Sequence, residues 1–325
     1  MDGLGRRQQG DPADAETLAT EKMGDEEWER PPALERELGS LIPPHRLDGL
    51  DTAVDVLYGA LQAGERILVV GDFDADGATS CALAVRCLRA FGHQAVDFLV
   101  PNRFDFGYGL TPEIVDHARR FDPDVIVTVD NGVSSIEGVA AARALGWQVI
   151  VTDHHLAGAE LPAAHALVNP NLPGSSFPSR ALAGVGVIFY LLLGLRSHLR
   201  ERGWFTQRGL PTPNMADYLD LVALGTVAGV VPLDRNNRIL VDQGLRRIRA
   251  GQSVPGIAAL FDLAGRSVAR AVSTDLGFVA GFVRTVICVH RHVDIHPTSS
   301  LDGRAISEIY GGDVRMVRHD YRADY

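Results

Sequence analysis

The stretch Ile67–Gly92, "ILVVGDFDADGATSCALAVRCLRAFG", sets a short apolar run, three alternating aspartates and a longer amphipathic segment end to end. A strand buried on both faces reads as such a continuous Val/Ile/Leu run, and a parallel neighbour requires a crossover, usually a helix. The same order recurs in "AVDFLV" before "PEIVDHARRF", in "DVIVTV" before "IEGVAAARALG", and in "QVIVT". The sequence therefore predicts an α/β fold, a doubly wound parallel sheet, followed by a mainly helical segment.

The residues just after each apolar run carry the chemistry. "ILVV" leads into "GDFDADG", "VIVTV" into "DNG" and "VIVT" into "DHH". In an open α/β sheet the carboxyl ends of the strands form the edge where ligands bind. Aspartates and histidines far apart in sequence are thus expected to converge on one crevice.

Composition narrows the classes. A chain of 325 residues with 46% hydrophobic residues can bury one large core or two modest ones. Cys81, Cys87 and Cys288 are an odd number without metal-ligand spacing, which argues against a disulfide framework and for a reducing compartment, the cytoplasm by default. The first thirty residues have no apolar core of a secretory signal and read as an acidic, disordered leader. The longest apolar run elsewhere, "ALAGVGVIFYLLLGL" (Ala181–Leu195), falls short of the roughly 20 residues of a membrane span and suits a buried helix. A net charge of −10 argues against a surface coated for nucleic acid, while leaving room for a local basic groove.

Beyond Asn171 the pattern becomes helical over Ala183–Arg200, Met215–Ala228 and Asn236–Ala250, with a short helix in "PGIAALFDLAG". The expected division is a leader over 1–38, a domain over 39–250, a helical connector over 251–278 and a tail over 279–325 without sustained period. The tail's His290, His292 and His296 read as accidental neighbours rather than a metal site.

Asp72, Asp74 and Asp76 share one side of an extended backbone, or wrap a cation in a tight loop. Carboxylate oxygens suit Mg²⁺ or Mn²⁺. A solvated acidic turn capping the next helix has the same spacing, as does the start of a calcium loop whose closing glutamate is missing here. Asp130 joins the cluster or caps the helix beginning near Ser134. Asp153, His154 and His155 offer imidazole nitrogen backed by a carboxylate. Three such strand ends together favour a metal centre.

These residues, in this order, resemble the DHH phosphoesterase superfamily. The likeness runs through "GDFDADGATS", "VPNRF", "GYGL", "VTVDNGVSS", "VTDHH", "VNPN", "LAGVGVIFYLLL", "DLVALGTVAGVVPLDRNNRILV" and "GLRRIRAG". Over about Leu41 to Phe278 it is similar to the RecJ family of bacterial single-strand DNA exonucleases. The resemblance implies a monomeric phosphodiesterase with two ions, Mn²⁺ or Mg²⁺, that degrades single-stranded DNA from the 5′ end to mononucleotides, in recombination and repair. It places Asp74 and Asp76 on opposite metals, Asp130 between them and His154 as a ligand. Asp72 supplements the first site, because the superfamily's usual upstream histidine is Val70 here. His155 and Asp153 are the implied catalytic pair, positioning ligands or polarising the phosphate. Arg103 and Asn131 are the implied substrate contacts.

The chain departs from the family twice. Gly229 stands where the family carries an aspartate ligand, so a weakened second site is expected. After "STDLGF" the family's remaining parts, which include an OB-fold, give way to the unpatterned tail, as a frameshifted or damaged gene would produce. A truncated exonuclease of weak activity is therefore expected. A phosphoesterase of short oligonucleotides or cyclic dinucleotides, and a catalytically dead binding module, are the alternatives.

Overall fold

The computed structural model describes residues 37–101, 106–263, 285–289 and 293–297. Nearly all of the expected leader, Arg103 and most of the tail lie outside them. The chain alternates α1 (Leu50–Ala63), β1 (Ile67–Gly71), α2 (Ala75–Ala90), β2 (Val96–Leu99), α3 (Pro112–Ala118), β3 (Val125–Val129), α4 (Ile136–Ala144), β4 (Gln148–Thr152) and β5 (Ala166–Val168). All five strands pair in parallel in the order β2-β1-β3-β4-β5. The chain turns outward from β1 to β2 and returns on the other side to β3, which makes the β1/β3 crevice the topological switch point.

Every residue of β1 and β3 is buried, and pleating divides their side chains between two cores. Ile67, Val69, Val125, Val127 and Val129 pack on the face covered by α1 and α2. Leu68, Val70 and Ile126 pack on the other, against Ile114 and Val115 of α3 and Val139 and Ala142 of α4.

The helical part beyond the sheet consists of α5 (Gly184–Glu201), α6 (Trp204–Gln207), α7 (Leu219–Ala228), α8 (Arg235–Arg249) and α9 (Pro255–Leu263). Eleven of the eighteen residues of α5 are buried, so its near-continuous apolar sequence reflects enclosure by protein. Among the described residues no helix is long and apolar enough to cross a membrane. In the tail, β6 (Thr285–Val289) and β7 (Val293–Pro297) pair antiparallel. Each of these strands is five residues long, and the rest of the expected tail lies outside the described residues.

Candidate metal centre

The loop between β1 and α2 does not keep its three aspartates on one side. Asp74 is the N-cap of α2, its Oδ1 accepting from the Gly77 amide at 2.9 Å. The helix starts at Ala75, so Asp76 is already turned by helical rotation away from Asp72 and Asp74. The capping alternative and the cluster are both realised. Asp72, Asp74 and Asp130 bring carboxylate oxygens to within 4.8 Å of one another, and Asp130, His154 and His155 form a second group of the same tightness.

Asp76 points toward α5. Its Oδ2 accepts from the Gly184 amide at 2.9 Å and its Oδ1 from the Val185 amide at 2.7 Å. The residue before α5, Ala183, has no side chain to cap it, so Asp76 supplies the acceptor and the negative charge that a helix N-terminus favours. His154 Nε2 stands 3.9 Å from Asp76 Oδ2. Asp74 and Asp76, implied on opposite metals, thus have different structural duties, one capping α2 and one capping α5.

Asp130 lies between the groups. It is buried, and it takes a left-handed backbone, φ 61°, directly beyond the end of β3. Such a conformation in a non-glycine residue carries strain that the surroundings must hold, here with an amide bond from Asp130 N to the Thr152 carbonyl. Asp130 does not cap α4, whose N-cap is Ser135. Gly184 makes the close approach of α5 possible: a Cβ there would fall 2.3 Å from Asp130 Oδ1. That oxygen is buried without a hydrogen bond. His154 Nε2 is 3.1 Å away, at ion-pair distance when the imidazole is protonated.

An acceptor-only oxygen buried among like charges is the mark of a group waiting for a cation. Burial, then the neighbouring carboxylate of Asp76, drives the Asp130 carboxyl well above the usual carboxylate range. Burial likewise raises Asp76, against the opposing pull of His154 and of the α5 amides. A divalent ion would offset both the burial and the repulsion. The donor set therefore fits an oxygen-preferring metal with imidazole at its edge.

Asp153 serves the site from behind. It is fully buried, and its oxygens accept from the Val133 amide at 2.8 Å, the His154 amide at 2.7 Å, the His155 amide at 3.1 Å and His155 Nδ1 at 2.7 Å. Burial alone would raise its carboxyl, but these bonds and the facing His155 outweigh it and hold it below the usual range. The same Asp153 hydrogen bond, opposed by partial burial, raises His155. Asp153 thus turns Nε2 of His155 outward and keeps the ring charged to higher pH.

One expectation changes. Asn131, expected at the substrate, is 1% exposed. Its Nδ2 donates to the Val70 carbonyl at 3.1 Å and the Val129 carbonyl at 2.9 Å, tying β1 to β3. Its backbone neighbourhood matters to the site, but its side chain is turned into the sheet. Arg103 lies outside the described residues.

Three further residues support the centre without having been singled out. Asn169 Nδ2 donates to the His155 carbonyl at 2.9 Å, and Asn171 Nδ2 to the His154 carbonyl at 2.6 Å. The "VNPN" stretch thereby fixes the backbone of both histidines. The Tyr108 hydroxyl lies 3.1 Å from His155 Nδ1, with the ring edge-on to the imidazole. Both stretches belonged to the resemblance; their roles needed the fold.

Gly229 ends α7 with an ordinary right-handed backbone, φ −72° and ψ −3°. A Cβ there would lie 3.4 Å from Asp76 Oδ2. Position 229 therefore faces the centre, as the resemblance implied, and offers no side chain to it.

A family model described as "DHH family, N-terminal domain" matches residues 66–226. The chain is 58% identical over 248 residues to the single-stranded-DNA-specific exonuclease RecJ of Escherichia coli K12, a match over 76% of this chain and 43% of that protein. A crystal structure of exonuclease RecJ bound to manganese superposes with a TM-score of 0.59 at 38% identity, covering 70% of this chain and 54% of that one. RecJ of Thermus thermophilus in complex with Mn²⁺ gives a TM-score of 0.55 at 35% identity, covering 73% and 31%. The chain spans less than half the length of the curated relatives it matches. Its strand-end aspartates, its Asp-His-His run and its parallel sheet lie within the matched stretch, and residues 66–226 belong to the DHH family as its N-terminal domain.

Proposed function

We propose that this chain is a metal-dependent phosphodiesterase that hydrolyses single-stranded DNA from its 5′ end, in recombination and repair. The observation that carries the reading is the buried Asp130 oxygen without a hydrogen bond, set among Asp72, Asp74 and His154 at the switch point of the sheet. The 58% identity to a single-strand-specific exonuclease supports the substrate. Metal ions in two solved relatives, both with manganese, support the cofactor.

Asp72, Asp74 and Asp130 would hold one Mn²⁺ or Mg²⁺ ion, and Asp130, Asp76 and His154 the other, more weakly for want of a side chain at Gly229. Bound ions would supply a hydroxide near neutral pH and positive charge against the scissile phosphate. Asp130 would serve both ions, because it is common to the Asp72, Asp74, Asp130 group and to the Asp130, His154, His155 group. His155, kept charged by Asp153, presents Nε2 to a non-bridging phosphate oxygen. Tyr108 steadies that ring from its exposed side. Cytoplasmic placement is supported by the free, buried thiols of Cys81 and Cys87.

The test is hydrolysis of single strands labelled at the 5′ or the 3′ end, beside a labelled dinucleotide, by the full chain with Mn²⁺ or with chelator. Mononucleotides released from the 5′ end, and only with metal, are expected. Cleavage of the dinucleotide alone would favour a short-oligonucleotide phosphoesterase. Mn²⁺ binding with no hydrolysis of either would favour a binding module.

A further inference from the structure

The stretch "PLDRNN" at Pro232–Asn237 belongs to the resemblance and takes no part in the metal centre itself. Asp234 is the N-cap of α8, its Oδ1 accepting from the Asn237 amide at 2.9 Å. Its Oδ2 accepts from the Ser179 hydroxyl at 2.7 Å. Asn237, fully buried, donates through Nδ2 to the Ala181 carbonyl at 2.7 Å and to the Pro232 carbonyl at 2.9 Å. The head of α8 thus grips two loops at once. One is Ser179–Ala183, which delivers the chain to α5. The other is 229–233, which carries Gly229 past Asp76.

The grip ends a short covalent path from the metal centre. Three residues beyond Ala181, the Gly184 amide holds Asp76 Oδ2, and Gly184 lies against Asp130. Ala183 brings no cap of its own, so the place where α5 begins depends on the loop in front of it. Buried carboxylates with no room to relax keep their separation only as well as the backbone between them does.

We propose that Asp234 and Asn237 are positioning residues of the metal centre: by holding the loop before α5 they set where Asp76 stands relative to Asp130. They touch neither substrate nor metal. The inference rests on the metal-centre reading of Asp72, Asp74, Asp76, Asp130 and His154.

The test is Mn²⁺ titration of the full chain, followed by calorimetry and by the Mn²⁺ electron paramagnetic resonance line shape. Asp234→Ala removes both the Ser179 bond and the α8 cap. Ser179→Ala removes one hydroxyl and spares the cap. Asp234→Asn keeps an acceptor for the Asn237 amide and lets the Ser179 hydroxyl accept instead of donate. Support behind metal ligands is worth about tenfold or more in affinity, and that loss is expected for Asp234→Ala, with a smaller loss for Ser179→Ala and a changed line shape for both. Asp234→Asn should bind as the parent does, which separates a hydrogen-bonded tie from a charge effect. Trp204→Phe, which deletes the buried bond from Trp204 Nε1 to the Phe91 carbonyl, is the control for lost stability and should leave Mn²⁺ affinity unchanged.

Parental Mn²⁺ affinity in folded Ser179→Ala and Asp234→Ala would overturn the proposal. So would equal losses in Asp234→Asn and Asp234→Ala, or a like loss in Trp204→Phe. Should Asp234→Ala fail to fold, Ser179→Ala decides. A parent chain that binds no Mn²⁺ at all would instead remove the metal-centre reading on which the proposal stands.

Discussion

Gly184 and Asp76, 108 residues apart in sequence, are joined by a 2.9 Å hydrogen bond from the Gly184 amide to Asp76 Oδ2. With the Val185 bond beside it, this makes one carboxylate both the start of a helix and a wall of the metal centre. Under the metal-centre proposal, folding and metal binding share a residue.

Asp76→Ala should cost stability even in chelator. Two buried amides lose their acceptor, against which the relief of a buried carboxylate is a partial offset, leaving a net loss of about 2 kcal/mol. Urea unfolding of parent and variant with EDTA measures it. Equal midpoints would mean that the α5 amides find another acceptor.

Asp130→Asn is the cleaner probe of the centre. Asparagine tolerates the left-handed backbone as aspartate does, so the fold should survive while the shared anionic donor is lost. Hydrolysis should drop more than about a hundredfold, as for loss of a main electrostatic stabiliser, with melting in chelator close to the parent's. Asp130→Ala should lose activity and stability together. Unimpaired Mn²⁺-dependent cleavage by either variant would remove Asp130 from the centre.

Stabilisation by Mn²⁺ should grow with pH. Burial first, and their mutual repulsion second, lift the Asp130 carboxyl, and burial lifts that of Asp76. In the metal-free protein a raised carboxyl stabilises fully below the ordinary carboxylate range, and that contribution is lost as pH rises through the raised value. Mn²⁺ must displace the same protons, so it binds more tightly as pH rises. The difference in melting temperature between Mn²⁺ and chelator, which cancels the lowered His93, His165 and His198, should widen as pH rises above the ordinary carboxylate range. A flat difference would contradict the assignment.

Gly229→Asp should act in opposite directions with and without metal. The backbone at 229 accepts any L-residue, and the new Cβ would lie 3.4 Å from Asp76 Oδ2. In chelator the added carboxylate meets like charge and should lower the melting temperature. With Mn²⁺ it supplies an anionic donor and should tighten the weaker site by about tenfold. Calorimetric titration of both forms checks it; identical affinities would place residue 229 outside reach of the ion.

The sheet was legible because β1, β3 and β4 are buried on both faces and so are written as unbroken apolar runs. Asp130, Asp153, His154 and the β1-loop aspartates were legible because a parallel sheet puts every strand's end on one edge. β5 was not: three residues carry no period. The direction of Asp76 was not legible either, since alternation means one side only while the backbone stays extended, and α2 begins at Ala75. Asn131 misled because an asparagine beside a site aspartate looks the same whether it faces a ligand or, as here, two strand carbonyls. Ser179, Asp234 and Asn237 act through bonds of long sequence separation, which no local pattern reports.

The two faces of the sheet are unequally insulated. The core shared with α1, α2 and α5 is the larger; the one beneath α3 and α4 is smaller. Partial opening is expected to start from the α3/α4 side, which native-state amide exchange would register. Val133, whose amide helps anchor Asp153, leads into α4, and Leu110, bonded to Ser135, leads into α3. Slow exchange is thus expected around Asp76 and α5 and faster exchange around the strut behind His155. Because Asp153 also holds the His154 amide, such an opening would loosen together the imidazole of His155 and the histidine of the proposed metal centre.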